Sequence, residues 1–288
     1  MKIILKIFLM ITLVLFLVSC GSGIGKNQIQ QNFKTGVGDL KIIFLPNSPP
    51  NEIYPDSDFK IVASVENGLA YDLVNGRLSI VGLDDKYFQI YPLDQTFEPL
   101  MGRSFINPLG DKIFLEFNGH SQQLFQHASY YTANFLLKVI FSSHIEFSDT
   151  ICLNANLYDV YDSGCQMQEK KSYHGQGGAL AVTSLEQVVS PGYDASVQFR
   201  FNVQNKGNGN IKNIYLGQSK LGNKDLNCYF QGEDLLNKKI QLTPSKQETV
   251  LICTTPILQK ESYETTIVFD LGYDYEVKEQ KQIKLVSS

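Results

Sequence analysis

The feature that most limits how this 288-residue chain can fold is one long stretch of alternating side chains, Tyr130 to Ser142. A period of two is typical of a β-strand with one buried face and does not fit a helix. The opposite face is mostly polar, although Leu136 and Ile140 interrupt it. The sequence therefore predicts a strand that needs other strands to cover it. Its apolar face consists of Tyr131, Ala133, Phe135, Leu137, Val139 and Phe141.

Shorter stretches on both sides also read as strands, separated by Gly, Pro, Asn and Asp. The Asn75-Gly76 dipeptide predicts a tight turn between two of them. Short strands with regularly spaced turn signals favour antiparallel β-sandwiches. The predicted fold class is therefore all-β, with two immunoglobulin-like antiparallel sandwich domains in tandem. The further predicted strands are 40–45, 59–65, 71–73, 78–81, 88–91, 112–117, 151–157, 179–189, 197–203, 211–216, 226–230, 239–242, 249–253, 263–273 and 283–286.

A charged and then glycine-rich segment, QEKKSYHGQGG at 168–178, lacks any apolar period. Such a change in composition is typical of a domain boundary. The sequence thus predicts a linker at 168–178, between a first domain at 39–167 and a second at 179–288.

The first twenty residues predict the compartment. Lys2 and Lys6 precede an apolar run that ends in Leu-Val-Ser-Cys at Cys20. A basic start, an apolar run and small residues at the cut are typical of a secretory signal peptide. The ending resembles a lipobox, which implies that residues 1–19 are removed and that Cys20 carries a lipid. The alternative is an uncleaved membrane span. Either reading places the chain outside the cytoplasmic membrane, anchored to it through a flexible tether at 20–38.

Four other cysteines, an even number, suit disulfides in an exported chain. Four cysteines allow three pairings, and proximity favours Cys152–Cys165 and Cys228–Cys253. A zinc site is the weaker alternative, because no CxxC motif or histidine at ligand spacing accompanies them.

Charge restricts the partners. The full chain has a net charge of −4, and loss of Lys2 and Lys6 with the signal makes it −6. Without a cluster of Lys and Arg, the chain lacks the footprint of a nucleic-acid binder. It also lacks a basic face for anionic lipid, so we expect the lipid on Cys20 to be its only membrane contact.

No nucleophile or metalloprotease motif occurs in the sequence. His120 and His127 lie in one polar segment and are better interpreted as loop residues than as metal ligands. Acidic turns could bind Ca²⁺, but solvated turn acids are the commoner case. The prediction is therefore no catalytic residue, no metal and no cofactor. The acidic turns contain Asp56, Asp58, Asp84, Asp85, Asp159 and Asp162.

DFKIVASVENG at 58–68 and SVQFRFNVQNKG at 196–207 share an alternating strand, a Val-x-Asn and a glycine turn. This repeat resembles the tandem CARDB-like, immunoglobulin-type domains of prokaryotic, notably archaeal, surface proteins. The resemblance implies a binding, adhesion or scaffolding module without a shared catalytic site. The expected partner is a surface protein or another envelope component, bound through loops at 94–111 and 118–127. The alternative is a glycan-directed hydrolase that uses scattered loop carboxylates.

Overall fold

A computed structural model describes residues 32–125, 128–154, 164–190, 195–234, 236–257 and 262–287. The predicted signal peptide, Cys20 and the tether up to residue 31 lie outside the described residues. The described part is built of strands and contains no helix, so the all-β prediction is confirmed. The strands are β1 (Leu40–Phe44), β2 (Glu52–Ile53), β3 (Asp58–Asn67), β4 (Val74–Val81), β5 (Phe88–Tyr91), β6 (Asp94–Phe97), β7 (Lys112–Ser121), β8 (Tyr130–Leu153), β9 (Lys170–Ser172), β10 (Leu180–Ser190), β11 (Ser196–Asn205), β12 (Asn210–Leu221), β13 (Lys224–Asp225), β14 (Asn227–Phe230), β15 (Lys239–Gln241), β16 (Glu248–Pro256) and β17 (Tyr263–Val286).

Two strands of 24 residues each, β8 and β17, form the centre of the molecule. They pair antiparallel over their whole length, from Leu153 opposite Tyr263 to Tyr130 opposite Val286. The alternation that predicted a strand at 130–142 continues beyond Ser142, with Ile145 also buried. Prediction divided each long strand into two shorter ones, and that division was wrong.

Polar residues at the middle of each strand explain the wrong division. Ser143 interrupts the apolar face of β8, but its hydroxyl donates to the carbonyl oxygen of Asp72 at 2.9 Å. In β17 the charged stretch 276–282 interrupts the apolar pattern. Backbone pairing with β8 carries that stretch through as a strand.

The strands form three sheets. The eight-stranded sheet has the order β13-β12-β17-β8-β4-β6, with β15 beside β12 and β2 beside β17. A four-stranded sheet, β1-β3-β7-β5, and a five-stranded sheet, β14-β16-β11-β10-β9, complete the fold. Because the odd-numbered positions of β8 form its buried face in both halves, both smaller sheets cover the same face of the large sheet.

Ring contacts show how the layers meet. Phe135 in β8 lies 5.7 Å from Phe44 of the four-stranded sheet. Further along the same strand, Phe147 lies 5.3 Å from Phe201 of the five-stranded sheet. We call the region under the four-stranded sheet the first sandwich and the region under the five-stranded sheet the second sandwich.

Each long strand crosses from one sandwich to the other. The end of β17, at Leu285, pairs with Tyr131 and with Ile53 in the first sandwich. Its beginning contributes Phe269, whose ring lies 4.8 Å from that of Phe201 in the second sandwich. β8 runs the opposite way.

The predicted separation into domains 39–167 and 179–288 is therefore not confirmed. Residues after about 275 were assigned to the second domain but complete the first sandwich. The predicted linker 168–178 contains β9, which pairs with β10, and Gln176, which bridges to Gly36. The whole stretch Phe33–Ser288 forms one unit, because strand pairing of β8 with β17 joins the halves.

The sequence repeat has a structural counterpart. Its two copies are β3, between β1 and β7, and β11, between β10 and β16. Each ends in an asparagine that closes a turn. The Asn67 amide donates to the carbonyl oxygens of Tyr71 (2.9 Å) and Leu100 (3.0 Å). The Asn205 amide donates to the carbonyl oxygen of Gly209 (2.7 Å).

The Asn75-Gly76 turn prediction was wrong. Both residues lie inside β4, where the pairing with β8 shifts register between Val74 and Arg77. Asn75 takes a φ of 56°, and an added Cβ on Gly76 would lie 2.2 Å from the Phe97 ring. The dipeptide therefore forms a β-bulge, for which the same two residue types are suited.

Both disulfides are the ones that proximity favoured, Cys152–Cys165 and Cys228–Cys253. Cys228 and Cys253 face each other on β14 and β16, with 4.0 Å between their Cα atoms. Cys152 lies near the end of β8 that belongs to the second sandwich. Both disulfides therefore lie in the second sandwich.

Candidate functional site

The first candidate surface is the segment before β7, residues 98–111, which we call the apolar loop. It coincides with most of the predicted binding loop 94–111, whose first four residues are strand β6 paired with β4. The second predicted loop, 118–127, is shorter than expected because residues 118–121 belong to β7. Gln126 and His127 lie outside the described residues.

Hydrogen bonds to neighbouring turns fix the base of the apolar loop. The backbone N–H of Arg103 donates to the Leu69 carbonyl at 2.7 Å, and that of Gly102 to the Asp72 carboxylate at 2.8 Å. The Asp111 carboxylate accepts the backbone N–H of Met101 at 2.8 Å. These bonds occupy the carboxylates of the base and hold the loop to the body of the protein.

The tip of the loop satisfies several of its own backbone groups. The Asn107 carbonyl accepts the backbone N–H of Ser104 at 2.9 Å and that of Gly110 at 3.2 Å. In return the Asn107 N–H donates to the Ser104 hydroxyl at 3.1 Å, and its amide donates to Asp111 at 2.8 Å. Gly110 has a φ of 75°, which favours glycine. The tip is thus a closed, hydrogen-bonded turn.

Large apolar side chains project from this closed turn. Soluble proteins usually expose such side chains singly rather than together. The exposed fractions are 59% for Met101, 81% for Phe105, 94% for Ile106 and 76% for Leu109.

The apolar loop lies beside the start of the described chain. The Arg103 guanidinium is 6.0 Å from the centre of the Phe33 ring. Phe33 also approaches Gly177, where an added Cβ would lie 2.3 Å from the Phe33 carbonyl oxygen. Phe33, near the start of the described residues, therefore lies next to this loop.

The second candidate surface is a polar groove on the outer face of the five-stranded sheet. It consists of two adjoining depressions of about 490 Å³ and about 420 Å³, which share Asn202, Gln231 and Val250. Lys246 and Glu248 line the larger one. The smaller one is lined by Lys170, Glu186 and Arg200, and the Arg200 guanidinium lies 3.9 Å from the Glu186 carboxylate.

The groove has the properties of a docking surface for a polar partner. Both signs of charge occur in it, and Val250 and Ile252 provide apolar surface. The sequence did not reveal the groove, because its side chains come from five separate strands, β9, β10, β11, β15 and β16, and from the turns after β14 and before β16.

Of the predicted loop histidines, His120 belongs to β7 and meets two predicted turn acids. Its Nδ1 lies 2.7 Å from the Asp58 carboxylate, and its Nε2 lies 3.4 Å from that of Asp56. The hydrogen bond with Asp58 raises the pKa of His120. Among the described residues no group of three His, Cys, Asp or Glu side chains is arranged for a metal ion. Asp159 and Asp162 lie outside the described residues.

A buried carboxylate marks the middle of the large sheet. Glu276 accepts ion pairs from Lys212 at 2.6 Å, Lys278 at 2.9 Å and Lys138 at 3.2 Å. Burial alone would raise its pKa, but the three lysines lower the pKa of Glu276 to about 2. These ion pairs join β12, β17 and β8 where the two sandwiches meet.

Comparison with known proteins gives no family. No family model matches the chain, and no curated protein matches it. Among solved structures, the YadV chaperone is 9% identical over 75% of this chain and 85% of its own, with a TM-score of 0.20. The E. coli chaperone DraB is 9% identical over 80% and 85%, with a TM-score of 0.21. A lectin from Pleurotus ostreatus in complex with GalNAc is 11% identical over 87% and 82%, with a TM-score of 0.17. No helix able to span a membrane is found in the described residues.

Proposed function

We propose that this chain is a membrane-anchored extracytoplasmic protein that binds or scaffolds another envelope component and catalyses no reaction. The N-terminal sequence up to Cys20 supports the anchor. The polar groove on the five-stranded sheet is the single observation that carries the binding role. We relate the chain to the CARDB-like surface domains, and the support for this is that the two copies of the repeat, β3 and β11, occupy equivalent places in their sheets.

The groove suits a polypeptide better than a sugar. Sugar-binding sites commonly present an aromatic face for stacking, and the residues that line both depressions include no aromatic side chain. Charged side chains of both signs suit the mixed polar surface of a protein partner. The partner class that the groove supports is therefore a surface protein.

The alternative, a glycan hydrolase, requires two carboxylates that flank one scissile bond. Among the described residues that line the depressions, the larger contributes Glu248 and the smaller contributes Glu186. Each depression thus provides one carboxylate, and no specific observation favours the hydrolase.

Charge reversal in the groove tests the binding role. Full-length tagged protein is cross-linked on intact cells, and the captured proteins are compared between wild type and an Arg200→Glu, Lys246→Glu variant. We expect capture of the specific partner to fall at least about tenfold, because like charges across an interface cost several kcal/mol. The control variant is Lys86→Glu, Lys224→Glu, which changes the same charge at exposed lysines outside the groove. Equal capture by all three proteins contradicts the proposal.

The anchor is tested separately. Cys20→Ala should abolish lipid attachment and leave the uncut precursor, as mass spectrometry of the intact protein can show. A mature protein that begins with an unmodified residue contradicts lipidation.

A further inference from the structure

We infer that the apolar loop docks on the lipid bilayer to which the chain is anchored, as a second membrane contact besides the lipid on Cys20. This inference rests on the anchor of the proposed function and is independent of the polar groove. It replaces the expectation that the lipid is the only membrane contact.

The tip has the chemistry of a membrane-inserting element. Phe105, Ile106 and Leu109 expose between 76% and 94% of their surface within five consecutive residues. Backbone groups that enter a bilayer must already be hydrogen-bonded, because the hydrocarbon region offers no partners. The backbone N–H groups of Ser104 and Gly110 are bonded to Asn107 within the tip.

The base of the loop has the chemistry of the membrane interface. Arg103 and Lys112 lie on either side of the tip along the chain, and long basic side chains reach headgroups while their stems lie on apolar surface. The acidic side chains of the base, Asp72 and Asp111, accept backbone N–H groups of Gly102 and Met101. The Nε of Arg103 is buried, and Lys112 lies 3.9 Å from the Glu66 carboxylate, so the base has one basic side chain on each side of the tip and partners for part of its charge.

The position of the loop selects the bilayer as its occupant. Residues 21–32 connect Cys20 to Phe33, and twelve residues span at most about 43 Å even when fully extended. Since Arg103 lies 6.0 Å from the Phe33 ring, a lipid on Cys20 limits the distance between the tip and the membrane. Tethering at this range gives a weak second contact a high effective concentration.

The same turn in the second sandwich provides an internal control. There the turn before β16 is formed by Thr243 and Lys246, joined by a backbone hydrogen bond of 3.0 Å. It is short and polar, and it lies far from Phe33 in the sequence. Of the two equivalent turns, the one beside Phe33 therefore has the exposed apolar tip.

The absence of tryptophan from the chain makes a direct test available. Full-length lipidated protein with Phe105→Trp is reconstituted into vesicles of phosphatidylethanolamine and phosphatidylglycerol, with and without lipids brominated on their acyl chains. We expect a blue-shifted emission that the brominated lipids strongly quench. The matched control is Leu236→Trp in the second sandwich, where the native side chain is 96% exposed. We expect its emission to be unshifted and unquenched.

The outcomes separate this inference from the proposed function. Protein that floats with the vesicles while the Phe105→Trp emission stays unquenched overturns the docking inference and leaves the anchor intact. Protein that fails to float and shows no quenching overturns both. Unquenched emission together with a cross-link from position 106 to a protein on intact cells identifies a protein as the occupant instead. An Ile106→Ser substitution added to Phe105→Trp should reduce the quenching, and unchanged quenching contradicts a role for the tip.

Discussion

The two sandwiches share an equivalent turn, whose surface is apolar in the first sandwich and polar in the second. In both, the asparagine that ends the repeated strand binds the segment just before the next strand of its sheet: the Asn67 N–H donates to the Asp111 carbonyl at 2.8 Å, and the Asn205 N–H to the Gln247 carbonyl at 2.9 Å. In the first sandwich that segment is the exposed apolar loop, and in the second it is a short polar turn that lines the groove.

The same asparagine hydrogen bond thus closes two turns that expose different kinds of surface. The asparagine fixes the turn from inside, so the residues that it holds are free to vary. In the first sandwich those residues form an exposed apolar tip near Phe33, and in the second they form a polar rim of the groove. The two sandwiches also differ in covalent cross-linking, since both disulfides lie in the second sandwich.

The largest expected effect comes from breaking the strand that the second half contributes to the first sandwich. Leu285 is fully buried there, so Leu285→Asp leaves an unpaired buried charge that costs more than about 4 kcal/mol. We expect amide protection to be lost in β1, β3 and β7 and retained in β10 and β11, as hydrogen exchange would show. Gln282→Asp, at an exposed position of the same strand, is the control. Equal loss in both sandwiches would show that they unfold as one unit.

The next effect concerns the second sandwich alone. Removing the disulfide with Cys228→Ala and Cys253→Ala frees a loop closure of 25 residues and should cost about 3 kcal/mol. Amide protection in β11 and β16 should fall while that of β3 remains, because neither cysteine belongs to the four-stranded sheet. A matching fall in β3 would remove the distinction between the sandwiches.

The paired asparagines sharpen the comparison. Asn67→Ala removes three hydrogen bonds from a fully buried side chain and should cost about 2–3 kcal/mol in chemical denaturation. Asn205 is only partly buried, so Asn205→Ala should cost about 1 kcal/mol. Equal losses in the free energy of unfolding would show that the two asparagines contribute equally to stability. Only Asn67→Ala should also weaken vesicle quenching, because that side chain holds the base of the apolar loop.

The smallest effect tests the junction. Because the pKa of Glu276 is lowered from 4.5 to about 2, its ion pairs stabilise the folded protein above pH 4.5. That contribution falls as the pH decreases from 4.5 towards 2. It should amount to roughly 1–2 kcal/mol, since surrounding water screens the lysines. Glu276→Gln should flatten this part of the stability curve, and an unchanged curve would assign the acid sensitivity to other groups.

The sequence predicted the local strands well because alternation reports burial directly. The face from Tyr131 to Phe141 is buried or partly buried as expected, and nearest-neighbour pairing of cysteines suited the antiparallel strands that carry Cys228 and Cys253. The alternation did not predict that β8 and β17 continue through polar residues. Ser143 and the 276–282 stretch interrupt the apolar period, and what keeps them in strands is pairing between β8 and β17, which are far apart in sequence.

The two candidate surfaces also differ in how much of each could be predicted from the sequence. The apolar loop is continuous in sequence, so its proline and glycine content revealed it as a loop. The exposure of Phe105 and Ile106 could not be predicted, because an apolar residue in a loop is as often buried. The polar groove is assembled from β9, β10, β11, β15, β16 and two turns, and no local sequence pattern predicts such an assembly.

The exchange of long strands also determines when the protein can fold during its synthesis. Lys284 of β17 binds Glu52 of β2, which is 232 residues away in the sequence. The first sandwich can therefore be completed only after β17, its last strand, has been synthesised. Contacts so distant in sequence slow folding. Until β17 is synthesised, the edge of β8 that pairs with it has no partner, and an unpaired strand edge can pair with other chains.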